Sequence, residues 1–237
     1  MDLAAYQQHL HALQQAAWPE GAPRTPQYPL GQQPLTEYLR AWAQSQASAV
    51  ALDFYGYQLS FAELDRLSDR CAALLGELGI GPGDRVAVYL PNCPQLHIGF
   101  WGILKCGAVY APVSPLARTL ELEYQLKDSG ARVILCFGQL LDVVQAVSDA
   151  CELSAILATS LSELCPATPS IPLPDLLRTP KRLAPGVTDF FPALEACRAA
   201  TPAHRPALGD MAALNYTGGT TGTVSYTHLT LPTTPYV

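Results

Sequence analysis

Residues Tyr216-Thr217-Gly218-Gly219-Thr220-Thr221-Gly222-Thr223 pack three glycines and four threonines into eight positions. They follow directly on an apolar run, Met211 to Tyr216, that has the character of a strand. Glycine lets successive backbone N–H groups turn into one concavity, and such a nest binds anions. Threonine hydroxyls add donors at the rim without adding charge. The chemistry this composition suits is the holding of polyphosphate oxygens. Two other phosphate loops are excluded by spacing, because no Lys follows at the Walker position and the G-x-G-x-x-G pattern is unmet. A Thr/Gly-rich turn with no ligand is the alternative that spacing alone leaves open.

Other residues capable of chemistry are less organised. The seven cysteines, at 71, 93, 106, 136, 151, 165 and 197, form no C-x-x-C pair. They have no His partner at metal-ligand spacing, so reduced, buried thiols acting as small hydrophobes are expected. His9 and His11 are too isolated for a metal site and belong to a solvated arm. His97 and Trp101 sit on a run apolar almost all round, and core positions are expected for both. No catalytic residue and no metal ligand is assigned.

The balance of 14 Lys plus Arg against 20 Asp plus Glu gives a net charge of −6, the wrong sign for a nucleic-acid surface. With 49% hydrophobic and 14% charged residues, the chain has ample material for a core. Met1 to Glu20 lacks a basic leader before an apolar run, so no signal peptide is expected. The most apolar stretch, Ile98 to Val113, is interrupted by Lys105 and falls short of a bilayer span. The expected location is the cytoplasm. The 21 prolines crowd into Pro19 to Pro34 and Pro166 to Pro206, where irregular connections are expected.

The elements that must position the glycine loop follow from periodicity. Met1 to Pro34 has a short helical start (Tyr6, Leu10, Leu13) and then a Pro/Gly-rich run, which together make an N-terminal arm. Leu35, Tyr38, Leu39 and Trp42 form the stripe of an amphipathic helix. Val50 to Phe54 and Tyr57 to Leu59 make a hairpin around Gly56. Ser60 and Glu63 form a capping box for a helix carrying Leu64, Leu67, Cys71, Leu74 and Leu78, with Gly79 as its left-handed stop. Arg85 to Leu90, Ala108 to Pro112, Arg132 to Cys136 and Ser154 to Ala158 are strand candidates. Pro94 to Lys105, Leu120 to Lys127 and Leu140 to Ala150 are the helices between them. This alternation predicts an α/β fold with a mostly parallel sheet. Pro166 to Arg205 is expected to be a surface excursion with one helical patch, Phe190 to Ala199.

Asn215 to Thr223 resembles the phosphate-binding signature of the adenylate-forming acyl-CoA synthetases, in the form found in long-chain fatty acid CoA ligases. Phe61-Ala62-Glu63-Leu64, Gly81-Pro82-Gly83-Asp84-Arg85-Val86-Ala87, Leu90-Pro91-Asn92, Gly107-Ala108-Val109-Tyr110 and Tyr124-Gln125-Leu126-Lys127-Asp128-Ser129-Gly130-Ala131 resemble the N-terminal half of that family, in its order. The resemblance covers about Leu35 to Thr223. It implies the N-terminal lobe of the adenylate-forming fold, with mostly parallel sheets flanked by helices, here truncated. It also implies a partial AMP-binding domain over residues 35–223, after an arm at residues 1–34. The implied activity joins a carboxylate to ATP, releases pyrophosphate, and passes the acyl-adenylate to a thiol, usually coenzyme A. Carried over residue by residue, Thr217, Gly218, Gly219, Thr220, Thr221 and Gly222 are the ATP phosphate contacts, with Mg2+ as the implied metal. Peripheral membrane contact is open, since enzymes handling fatty acids touch bilayers without spanning them.

The chain then departs from the family. Ser225 stands where the loop lysine should be. Val224 to Thr233 is similar to a translation of the transposon-end adapter used in DNA library preparation. Residues 224–237 are therefore expected to be a non-native tail, with a genuine Thr-rich tail as the alternative, and neither Ser225 nor His228 is given a role. The family's adenine-binding segment, magnesium-associated glutamate, ribose-binding aspartate and lid lysine are expected beyond Thr223, so these residues alone are expected to form no acyl-adenylate. Unpaired strand edges are expected to make them poorly soluble or associating. The rival assignments are an aryl-CoA ligase, an adenylation domain of a peptide synthetase, and a non-catalytic nucleotide- or partner-binding module.

Overall fold

The computed structural model describes residues 2–198, 204–219 and 222–230. They fall into two compact units, one of residues up to Gly31 and one from Gln32 onward. In the first unit, α1 (Leu3–Ala16) starts at Asp2, whose carboxylate accepts the Ala5 N–H at 2.8 Å. Its Leu3, Leu10 and Leu13 are exposed.

The second unit opens with α2 (Leu35–Ser45), whose Trp42 meets the rings of Tyr38 and Phe61 at 5.6 and 5.7 Å. The hairpin β1 (Val50–Phe54) and β2 (Tyr57–Ser60) turns at Tyr55 and Gly56, both with positive φ, as a two-residue primed turn requires. α3 (Phe61–Glu77) begins with the expected capping box: the Ser60 hydroxyl accepts the Glu63 N–H, and the Ser60 N–H donates to the Glu63 carboxylate at 3.0 Å. It ends where Gly79 turns left-handed and the Ile80 N–H reaches back to the Leu75 carbonyl at 2.9 Å.

The main sheet is built from β3 (Arg85–Tyr89), β4 (Val109–Pro112), β5 (Val133–Phe137), β6 (Ala155–Thr159), β7 (Thr188–Asp189), β8 (Met211–Gly219) and β9 (Gly222–Thr230). Its spatial order is β7-β6-β5-β3-β4-β8-β9. Every neighbouring pair is parallel except β8 and β9. The crossovers are α4 (Pro94–Lys105), α5 (Thr119–Ser129) and α6 (Leu141–Ser148), and α7 (Phe190–Ala196) follows β7. Because side chains alternate along a strand, Val86, Val88, Val133, Leu135 and Phe137 pack with α3, α4 and α7. Ala87, Tyr89, Ile134 and Cys136 pack with α5 and α6 on the opposite face.

Two close contacts lock the helices over the first face. A Cβ on Gly102 of α4 would lie 2.5 Å from the Cys71 Cβ of α3, so the two backbones approach as only glycine allows. Lys105, fully buried at the end of α4, donates to the carboxylates of Asp65 and Asp69 on α3 at 2.6 and 2.8 Å.

The excursion after β6 is more ordered than its prolines suggested. It holds short 3-10 turns at Leu161–Leu164 and Asp175–Arg178 and the two-residue strand β7, and its helix stops at Ala196 rather than Ala199. Across the carboxyl ends of β5 and β6 it forms a strap. Gln139 donates to the Pro180 carbonyl at 2.8 Å, Lys181 pairs with Glu163 and Asp189, and Arg182 grips Asp142 through two contacts of 2.6 and 2.9 Å.

Candidate functional site

β8 carries the glycine and threonine stretch, and the segment before it is pinned at several points. Arg205 pairs with Glu37 of α2 at 2.9 Å, and the His204 ring lies against Gly107, where a side chain would collide with it. The Asp210 carboxylate accepts the Ala207 N–H at 2.7 Å.

Once in the sheet, β8 joins β4 through a single register pair, Tyr110 with Ala213. The reason lies in Pro112. Along β4 the N–H groups of Val109 and Val113 point to the β3 side, bonding to Asp84 and Val88 carbonyls at 2.7 and 2.9 Å. The N–H of residue 112 would therefore face β8, and proline has none.

Past that break, Tyr216 reaches α5 with its side chain. Its hydroxyl donates to the Asp128 Oδ2 at 2.6 Å, and its ring meets the Tyr124 ring at 6.3 Å in an edge-to-face arrangement. Partial burial first, and then this bond to a carboxylate, hold the Tyr216 phenol well above the usual tyrosine range.

The expected loop begins later than its composition suggested. Extended backbone continues through Thr217, Gly218 and Gly219 as part of β8, and Gly222 opens β9. Gly218 pairs with Thr223, and Gly219 with Gly222. Thr220 and Thr221 lie outside the described residues. Strand pairing wins over the local turn signal here because an antiparallel partner follows at once, and residues 224–230, expected to be non-native, supply it as β9. From Tyr216 to Val237 the sequence contains no Lys or Arg, so any phosphate held there is held by neutral donors.

Other expected residues are placed as follows. Trp101 is half-buried, packed against the core and beside Phe100 at 5.1 Å. His97 is also half-buried rather than a full core position, and burial pushes its imidazole below the ordinary value of 6.5. All seven cysteines are free thiols, five of them buried. Burial raises Cys93 and Cys136 to about 12 and Cys106 to about 11. Among the described residues no three His, Cys, Asp or Glu side chains gather to hold a metal. No described helix is long and apolar enough to cross a membrane. The pairing of Tyr216 with Asp128 escaped sequence reasoning: both residues fall inside quoted motifs, but no spacing rule joins positions so far apart.

A parallel sheet wrapped by helices and ending in the antiparallel pair of β8 and β9 defines the class as an α/β domain. Residues 39–228 match the family model described as AMP-binding enzyme, and the chain belongs to that family. It is 31% identical over 218 residues to a long-chain-fatty-acid–CoA ligase of Bacillus subtilis, an alignment covering 87% of this chain and 38% of that protein. Among solved structures, the apo MbtA of Mycobacterium smegmatis superposes with a TM-score of 0.67 at 24% identity, over 94% of this chain and 36% of that one. The anthranilate CoA ligase AuaEII, solved with anthranoyl-AMP, gives 0.65 at 20% identity, over 79% and 32%. These two likenesses establish the shared fold. The chain spans well under half the length of each of these relatives.

Proposed function

We propose that this chain is the amino-terminal portion of an enzyme that activates a carboxylic acid with ATP, and that the acid is a long-chain fatty acid. The carboxylate attacks the α-phosphorus of ATP, forming the acyl-adenylate and expelling pyrophosphate. The thiol of coenzyme A then displaces AMP to give the thioester. In this reading Thr217, Gly218, Gly219, Thr220, Thr221 and Gly222 contact the β- and γ-phosphates. They act by positioning and by spreading charge over neutral donors, with no covalent step of their own. Mg2+ and coenzyme A are required by the same reading. In this reading residues 35–223 are the part of the adenylating domain that this chain carries.

The observation that carries the proposal is the family match over residues 39–228, which runs through the glycine and threonine stretch borne by β8 and β9. The long-chain assignment is supported by the Bacillus subtilis relative. The test is carboxylate-dependent exchange of pyrophosphate into ATP. In a protein carrying these residues over the full length of the relatives, palmitate should support exchange and benzoate should not. Thr220→Ala should lower the rate by about 100-fold, the order seen when one preorganised donor is removed. The 237 residues alone should show no exchange. Unchanged exchange in Thr220→Ala would refute the phosphate-loop assignment, and a preference for benzoate would refute the long-chain one.

A further inference from the structure

The ladder between β4 and β8 stops where Pro112 presents no N–H, and past that break the Tyr216 side chain bonds to Asp128 of α5. Tyr216 immediately precedes Thr217. We infer that the Tyr216–Asp128 bond, seated on the Tyr124 ring, is a brace that substitutes for the missing strand pairing and fixes the position from which the phosphate loop departs. Tyr216 and Asp128 are positioning residues, acting on the loop through the β8 backbone. The inference rests on the phosphate-loop reading above.

The chemistry of the brace suits the task. A bond to an ionised acceptor is stronger and more directional than one between neutral groups. The edge-to-face ring contact restricts rotation of the tyrosine about its own axis. Asp128 lies in the last turn of α5, a helix anchored in the core by Leu122 and Leu126. The brace therefore ties the strand to the rigid part of the molecule. Among the described residues, β9 pairs with no strand but β8.

Hydrogen–deuterium exchange on the 237-residue chain separates this role from general stability. Tyr216→Phe keeps the ring and loses the donor. It should speed exchange of the amides at residues 215–219 about fivefold, the order expected for one lost hydrogen bond, while amides of β3 and β5 stay as slow as in the parent. Asp128→Ala should do the same, Asp128→Asn should restore slow exchange by keeping an acceptor, and the double variant Tyr216→Phe/Asp128→Ala should add nothing further. Parent-like exchange in Tyr216→Phe, or additive effects in the double variant, would overturn the inference.

ATP binding by the same variants, made in a protein carrying these residues over the full length of the relatives and measured by calorimetry, distinguishes its failure from that of the function. If the parent binds ATP, Tyr216→Phe should weaken it by the same factor, and equal affinity would refute the positioning role. If the parent binds no ATP, it is the phosphate-loop reading that fails, and the exchange result alone decides whether the brace exists.

Discussion

His97 loses part of its hydration on α4 without gaining a charged partner, and this fixes the sign of its effect on stability. Its folded-state value lies below the ordinary 6.5, so the unfolded chain binds the proton more tightly. The stability it contributes is complete above 6.5 and is lost as pH falls through that value toward the folded one. His97→Gln should flatten the dependence of the melting temperature on pH between 7 and 5, a comparison made by calorimetry at matched ionic strength. The thiols give a second prediction. Cys93, Cys106 and Cys136 are buried and stay protonated at neutral pH, so they lack the thiolate that reacts. Iodoacetamide should modify the partly exposed Cys165 and Cys197 in the native protein, and mass spectrometry should find the other five only after unfolding.

At the scale of elements, the crossing of α3 and α4 is the most constrained. Gly102→Ala normally favours a helix, but here the new methyl would meet the Cβ and Sγ of Cys71 and approach the Ser68 carbonyl. A cost of about 1–3 kcal/mol is expected from this overpacking, measurable by urea denaturation. Lys105→Met should cost about 3 kcal/mol, at the low end for a broken buried pair, because Asp65 and Asp69 keep access to water. These elements were largely legible in advance. The Ser60–Glu63 box, the turn around Gly56 and the stop at Gly79 are local signals, and the structure places each where the residues put it. Elements that depend on distant partners were not legible. β7 is two residues long and exists because β6 offers it an edge, and β8 continues past Tyr216 because β9 pairs with it. The composition of the candidate site was evident from its glycines and threonines, whereas the gap at Pro112 and the reach of Tyr216 to Asp128 exist only in three dimensions.

For the whole molecule, the buried members of the two hydrophobic clusters among the described residues run from Leu39 to Leu194 on one face and from Ala87 to Ala158 on the other. Five parallel strands, β7-β6-β5-β3-β4, carry these clusters as a doubly wound layer. A chain ended after Arg198 should keep a cooperative melt within about 5 °C of the parent, and a non-cooperative one would show that β8 and β9 belong to the folding unit. In such sheets ligands commonly enter a crevice outside the carboxyl ends of the strands. Across the carboxyl ends of β5 and β6 the strap from Pro180 to Arg182 closes that crevice, its Arg182 carbonyl so close that a methyl on Gly138 would sit 2.5 Å from it. A small molecule seeking that doorway finds it bolted from inside, with three ion pairs to undo before entry. Crystals soaked in nucleotides should show no density there.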